Sequence, residues 1–270
     1  MTDNTITYKP SWLASKEFKF LVGAEEKEFT IHSELVAEQS GPLRALVTNG
    51  MKESQEGLVK WPHVDPETFA RFSEFLYSRD FHTRAFVPIE TDPARRRFLE
   101  RGVNEFWDID DDDIIRHAWS RFRWRQQYLF HKPPTLYGPD YFIRDKTAVS
   151  EGCIAIVKVH ILAHYYDMGH LMDFCRAKLH QLMTSNWFIS GACDVIRLCV
   201  SESGAEGLRE LVTEYCALSL SWLLDDGEFQ AVIDEYPETA TGIIRNLKSF
   251  AKLYFKQQRA LSETSSSSDS

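Results

Sequence analysis

The structured part of the chain opens on an alternation. From Lys16 to Ser33, apolar side chains fall at every second position: Phe18, Phe20 and Val22, then Phe29 and Ile31. The polar run Gly23-Ala24-Glu25-Glu26-Lys27 separates the two sets. A period of two on both sides of a short polar turn predicts a β-hairpin. The period then changes. Leu35 and Val36 share one side of a short predicted helix, with Ser33 as its N-cap. Ser40-Gly41-Pro42 breaks it. Leu43, Leu46 and Val47 predict a second short helix that stops at Gly50. Leu58-Val59-Lys60-Trp61, followed by Pro62, reads as a strand. Asp65, Pro66 and Glu67 then supply an N-cap, a first-turn proline and a first-turn carboxylate. The helix they start carries Phe69, Phe72, Phe75 and Leu76 on one stripe.

Residues 80–150 lose this regularity. They hold several prolines, the run Arg95-Arg96-Arg97 and the acidic run Asp110 to Asp113. The expectation is a long insertion with one or two helices, one of them across the stretch from Asp111 to Phe130. Residues 154–183 are strongly helical, with a break at Gly169, and further helices are predicted near 188–200, 205–222, 226–235 and 238–258. The last nine residues contain six serines and no apolar side chain, so the sequence predicts a disordered end.

This order predicts an α+β fold: a small sheet flanked by short helices, an inserted segment and an α-helical C-terminal extension. The expected division is an arm over 1–15, a core built from 16–80 and 151–185, an insertion over 81–150, a helical extension over 186–260 and a Ser-rich tail over 261–270. The 270 residues suffice for one large domain or two small ones. A formal net charge of −9 gives no whole-chain basic footprint for nucleic acid. No apolar run approaches the length that spans a bilayer, and the first residues lack the pattern of a secretory signal. Five cysteines at irregular spacings, without a C-x-x-C pair, argue against a disulfide framework and against a zinc finger. They fit buried thiols in a reducing, intracellular compartment, cytoplasm or nucleus.

Three stretches, taken together, resemble the BTB/POZ family. The first holds His32, Ser40, Leu43 and Glu53-Ser54; the second Asp65, Phe69, Phe72, Leu76 and Tyr77; the third Leu162, Ala163, Tyr166, Met168 and Leu171. The stretch Leu208 to Ala217 is similar to the helical tail of fungal members. Two departures stand out. Glu17-Phe18-Lys19-Phe20 takes the place of a first strand that usually begins with Asp, and the insertion interrupts a core that is normally continuous. The resemblance implies a protein-interaction module that self-associates, with no reaction and no cofactor. It also implies adaptor roles, on a cullin scaffold or in transcription. The cullin-binding element of the family would fall at Leu46-Val47-Thr48, where Thr replaces the usual Glu.

The candidate contact residues for a second copy are Phe18, Phe20, Leu35, Val36 and Leu46, most of which equally suit a core. A second candidate surface interleaves Trp119, Arg121, Arg123, Trp124 and Arg125. Arginines among aromatics suit base stacking and phosphate neutralisation, and also suit protein interfaces. Over residues 95–125, however, eight arginines face seven acids, so the default expectation is an internally paired helix and not a nucleic-acid site. His160 and His164, four apart with Asp167 and His170 after them, have the spacing of two metal ligands. Ile161 stands where a zinc protease needs its Glu, so core or surface histidines are expected. Asp110 to Asp113 lack the spacing of a calcium loop and are expected to start the helix near Ile114. No phosphate-cradling glycine loop or nucleophile elbow is present in the sequence.

Overall fold

A computed structural model of the chain describes residues 11–83, 87–88, 113–125, 141–142, 146–185 and 189–267. It is mostly helical with a small three-stranded mixed sheet, an α+β arrangement. Two compact units divide the chain. One comprises Met1–His82 and Lys158–Asp173; the other comprises Thr83–Val157 and Phe174–Ser270.

In the first unit, β1 (Glu17–Val22) and β2 (Lys27–His32) form the expected hairpin, with Phe18 opposite Ile31 and Phe20 opposite Phe29. The turn is tight because Gly23 and Glu26 both take positive φ, at 75° and 51°. β3 (Leu58–Trp61) lies on the other side of β1 and runs parallel to it, so the order is β2-β1-β3. The helices α1 (Ser33–Ala37), α2 (Gly41–Thr48) and α3 (Lys52–Glu56) fill the crossover from β2 to β3.

Two local expectations are corrected in this crossover. The N-cap of α1 is His32, without a side-chain cap, so Ser33 is the first helical residue. Ser40 does more than interrupt: its hydroxyl accepts the Leu43 N–H at 3.3 Å, so it ends one helix and caps the next. No apolar stripe announces α3, which buries no side chain. It is held by its ends, a Gly57 cap at φ 65° and the Asn49 side chain accepting the Met51 N–H at 2.9 Å.

The helix α4 (Pro66–Ser78) starts as its sequence requires. One Asp65 carboxylate oxygen accepts the Thr68 N–H at 2.9 Å and the other accepts the Thr68 hydroxyl at 2.8 Å. Burial pushes the Asp65 carboxyl up. The two Thr68 hydrogen bonds and the nearby Lys158 ammonium outweigh it and hold the group below its usual range. A lowered folded-state pKa means that this stabilisation exists above the ordinary carboxylate range and is lost as pH falls through the lowered value. Asp65→Ala is expected to cost about 1 kcal/mol at neutral pH. Asp65→Asn should flatten the acid limb of a stability-versus-pH curve; an unchanged limb would refute the assignment.

The aromatic residues of this sheet and helix make one cluster. Phe69 is fully buried, with ring centroids 5.0 Å from Phe20, 4.8 Å from Phe29, 5.5 Å from Trp61 and 5.5 Å from Phe72. The 158–173 segment joins it through Tyr166, whose ring stacks on Trp61 at 4.4 Å and 17°. Val159, Leu162, Ala163, Met168 and Leu171 are buried. The first residues described are tied down as well: Trp12, in a short 3₁₀ turn, meets His32 and Tyr77 edge-on at 5.5 and 5.6 Å.

Among its described residues the second unit is mostly helical, with a two-residue pair, β4 (Val87–Pro88) with β5 (Tyr141–Phe142). Its helices are α5 (Asp113–Arg125), α8 (Ile189–Ser201), α9 (Glu206–Leu218), α10 (Leu220–Leu223), α11 (Gly227–Glu235) and α12 (Pro237–Ser267), together with parts of α6 (Lys146–Tyr165) and α7 (Gly169–Ser185). The break between α6 and α7 falls at 166–168, where Asp167 takes φ 54°; Gly169 is already helical. The region expected as one helix over 205–222 divides at Ser219. At the C-terminal end the described backbone is helical through Ser267, into the stretch 261–270 that the sequence reads as a Ser-rich tail. A nucleated helix gains a hydrogen bond for each residue it adds, so it can run past its apolar stripe.

One helix crossing is unusually close. A Cβ on Gly242 of α12 would lie 3.1 Å from the Thr213 Cγ2 of α9. A β-branched side chain there would have to displace the Thr213 side chain. Gly242→Val is expected to destabilise the second unit by roughly 2–3 kcal/mol, read from thermal melts, because overpacking forces the helices apart. A neutral result would mean that the two helices can separate at no cost and that the close approach is not needed.

Candidate interaction surface

The five apolar residues expected at a contact with a second copy fall into two groups. Phe18, Phe20, Leu35 and Val36 are all buried within the single chain. They are core side chains and cannot reach a partner without unfolding. Leu46 is half-buried, as is Val47 beside it on α2. The next apolar residue, Met51, is 60% exposed at the start of α3. Leu46, Val47 and Met51 are thus apolar side chains close in sequence that this unit leaves at least partly in water, as it also does Leu13, Tyr77 and Tyr165. The sequence pattern missed Met51 because it belongs to no periodic stripe. Thr48 is exposed and donates its hydroxyl back to the Arg44 carbonyl at 2.7 Å.

A second feature of this unit lies at His32. Its Nδ1 is 2.8 Å from the Tyr77 hydroxyl, and its own backbone N–H donates to the same oxygen at 3.3 Å. The pair fixes the end of β2 against the end of α4. Lys60, next to Trp61, pairs with Glu26 at 2.5 Å, and Lys158 pairs with Asp65 at 3.5 Å. Tyr165, whose ring meets Tyr166 edge-on, is 76% exposed.

Among its described residues the arginine–aromatic stretch divides into buried aromatic side chains and an exposed arginine, as an amphipathic helix does. Trp119 is buried; its indole N–H donates to the Leu218 carbonyl at 3.1 Å and its ring meets Tyr215 at 5.7 Å. Phe122 is also buried, 4.5 Å from the His180 ring. These aromatics hold α5 to its neighbours and are not available to stack bases. Arg121 is exposed. The side chains of Arg123, Trp124 and Arg125 lie outside the described residues. Asp113 is the first residue of α5 and pairs with Arg116 at 3.6 Å, while Asp110 to Asp112 lie outside the described residues. A groove of about 580 Å³ runs beside α5, lined among others by His117, Arg121, Glu210, Glu214, Arg245 and Asn246. Its two arginines and two glutamates balance.

The four residues with metal-ligand spacing do not converge. His160 is buried, whereas His164, Asp167 and His170 are exposed. Among the described residues no three of His, Cys, Asp and Glu group as a metal site would require. The five cysteines are all free and buried. Burial pushes every one of their thiols up, Cys193 to about 11 and Cys199 to about 12. At neutral pH they are protonated and shielded, so a disulfide reagent should titrate almost none of them in the native protein and all five after denaturation. Rapid native reaction of even one would contradict that packing. Lys178 is fully buried with its Nζ 5.2 Å from the Phe174 ring centre.

No protein-family model matches the chain, and no curated protein matches it. Among the described residues no helix is long and apolar enough to cross a membrane.

Proposed function

We propose that the chain is a polypeptide-binding module of the BTB/POZ type, which pairs with a second copy of itself and serves as an intracellular adaptor. The observation that carries this reading is the Trp61–Tyr166 stack at 4.4 Å. It joins the third of the three resembling stretches to the strand that leads into the second. The His32–Tyr77 hydrogen bond joins the first stretch to the second. All three thus contribute to one unit, in the order the resemblance requires. The aromatic cluster around Phe69 is consumed by the unit's own core, which leaves binding to the outer surface. The partly exposed apolar residues Leu46, Val47 and Met51 suit a contact of the hydrophobic kind that permanent dimers use.

Size-exclusion chromatography with light scattering tests this on the full chain. The expected result is twice the monomer mass for the wild type and a monomer for Leu46→Glu with Met51→Glu, both with unchanged far-ultraviolet circular dichroism. A wild type that stays monomeric at tens of micromolar would count against self-association. A double variant that dimerises as well as the wild type would move the contact elsewhere.

A further inference from the structure

The last long helix carries a charge pattern that the interaction reading does not use. Between Thr239 and Ser262 there are five cations, Arg245, Lys248, Lys252, Lys256 and Arg259, and no acid. The chain as a whole has a formal net charge of −9, so this helix opposes the rest. The five follow one another at three- or four-residue steps, which puts them on a single face of a helix. All five are exposed.

The same face has an apolar row beside the basic one. It consists of Ile244, half-buried Ala251 and Phe255 at helical steps, and Ile244 is 65% and Phe255 55% exposed. These two are not loose ends of the core. Ile243 and Phe250, roughly a third of a turn round the helix from them, are the apolar residues that α12 buries in its own unit. The helix is thus apolar on two faces, one satisfied inside the protein and one left outside with cations along its edge.

We propose that this outward face of α12 docks on an anionic lipid surface. In the plane of a bilayer interface, Lys and Arg lie at the level of acidic head groups while Ile and Phe side chains enter the boundary of the acyl region. Each occupant makes a different demand on the face. A nucleic acid would neutralise the cations and leave Ile244 and Phe255 in water. A second α12 packed on the same face would set five cations against five. An anionic bilayer satisfies both rows at once. Glu210 and Glu214 line the groove that Arg245 shares, so the Arg245 end is the least basic and the segment from Lys248 to Arg259 is the principal contact. Self-association through α2 and α3 is not required for it.

The test is sedimentation of the full chain with vesicles, alongside retardation of a duplex oligonucleotide. The wild type should sediment with equimolar phosphatidylcholine and phosphatidylserine, should not sediment with phosphatidylcholine alone, and should be released by salt. Lys248→Glu with Lys252→Glu should lower vesicle affinity at least about thirtyfold, since each basic residue near an anionic surface contributes about 1 kcal/mol. Ile244→Ser with Phe255→Ser should lower it roughly tenfold with the salt dependence kept. All four positions are exposed, so both variants should keep the wild-type circular dichroism and the wild-type mass in light scattering. No sedimentation with the anionic vesicles at low salt would overturn the proposal. So would vesicle binding indifferent to Ile244→Ser with Phe255→Ser, and so would oligonucleotide retardation without vesicle binding, which would assign the stripe to nucleic acid. Salt-sensitive self-association that replaces vesicle binding would also overturn it, and would assign the stripe to an acidic face of a second copy.

Discussion

Phe69→Ala is expected to destabilise the first unit by about 3–5 kcal/mol, the range for removing a large buried aromatic. Four rings meet Phe69 at centroid distances of 4.8 to 5.5 Å, and no part of the residue is exposed. The cavity left behind would be bounded by β1, β2, β3 and α4 together, so no single element could move in to fill it. A loss of this size is a large fraction of the stability of an ordinary domain. Denaturant titration followed by tryptophan fluorescence would record it, because Trp61 is one of the four neighbours. Tyr165→Ala, at a residue 76% exposed, is the control and should stay within about 0.5 kcal/mol of the wild type. A Phe69→Ala loss no larger than the control would mean that the aromatic cluster is not the core of this unit.

The second large effect is expected at Trp119. Its ring is buried and its N–H is used inside the protein, so Trp119→Ala should cost about 3–5 kcal/mol in the second unit. Arg121→Ala, two residues along and exposed, should cost less than about 0.5 kcal/mol. The contrast separates the two ways of reading an arginine–aromatic stretch. If α5 were a nucleic-acid contact, Trp119 would be dispensable for folding and Arg121 would carry binding. If α5 is a structural helix, Trp119→Ala is by far the more destabilising of the two. Thermal unfolding of the two variants decides it, and a stable, well-folded Trp119→Ala protein would restore the contact reading.

Periodicity made much of the fold legible. The hairpin, β3 and α4 each announce themselves by a regular apolar spacing or by a cap whose chemistry is local, as at Asp65-Pro66. The parallel pairing of β3 with β1 was not legible, because it depends on where a chain returns and not on any residue of the strand. α3 was missed because it buries nothing. The helix break at 166–168 was displaced onto Gly169 because the positive φ falls on Asp167 and not on a glycine. The surface was harder to read than the core. Phe18, Phe20, Leu35 and Val36 look the same in sequence whether they face a partner or their own core, and burial resolves them as core. Met51, Ile244 and Phe255 are apolar residues that only the folded chain marks as exposed. The basic stripe of α12 was present in the sequence at helical spacing. It was hidden by a chain-wide charge of −9, since a sum over the chain erases a sign reversal confined to one helix.

The polypeptide-binding reading depends on the stretches either side of the insertion, 17–78 and 158–173, forming one folded unit. Hydrogen exchange of Trp61→Ala measures this most directly. Removing one side of the Trp61–Tyr166 stack is expected to accelerate exchange at 162–171 as well as at 58–72, with both segments opening together. Acceleration confined to 58–80, with 162–171 exchanging as in the wild type, would contradict the single unit and the binding role that rests on it.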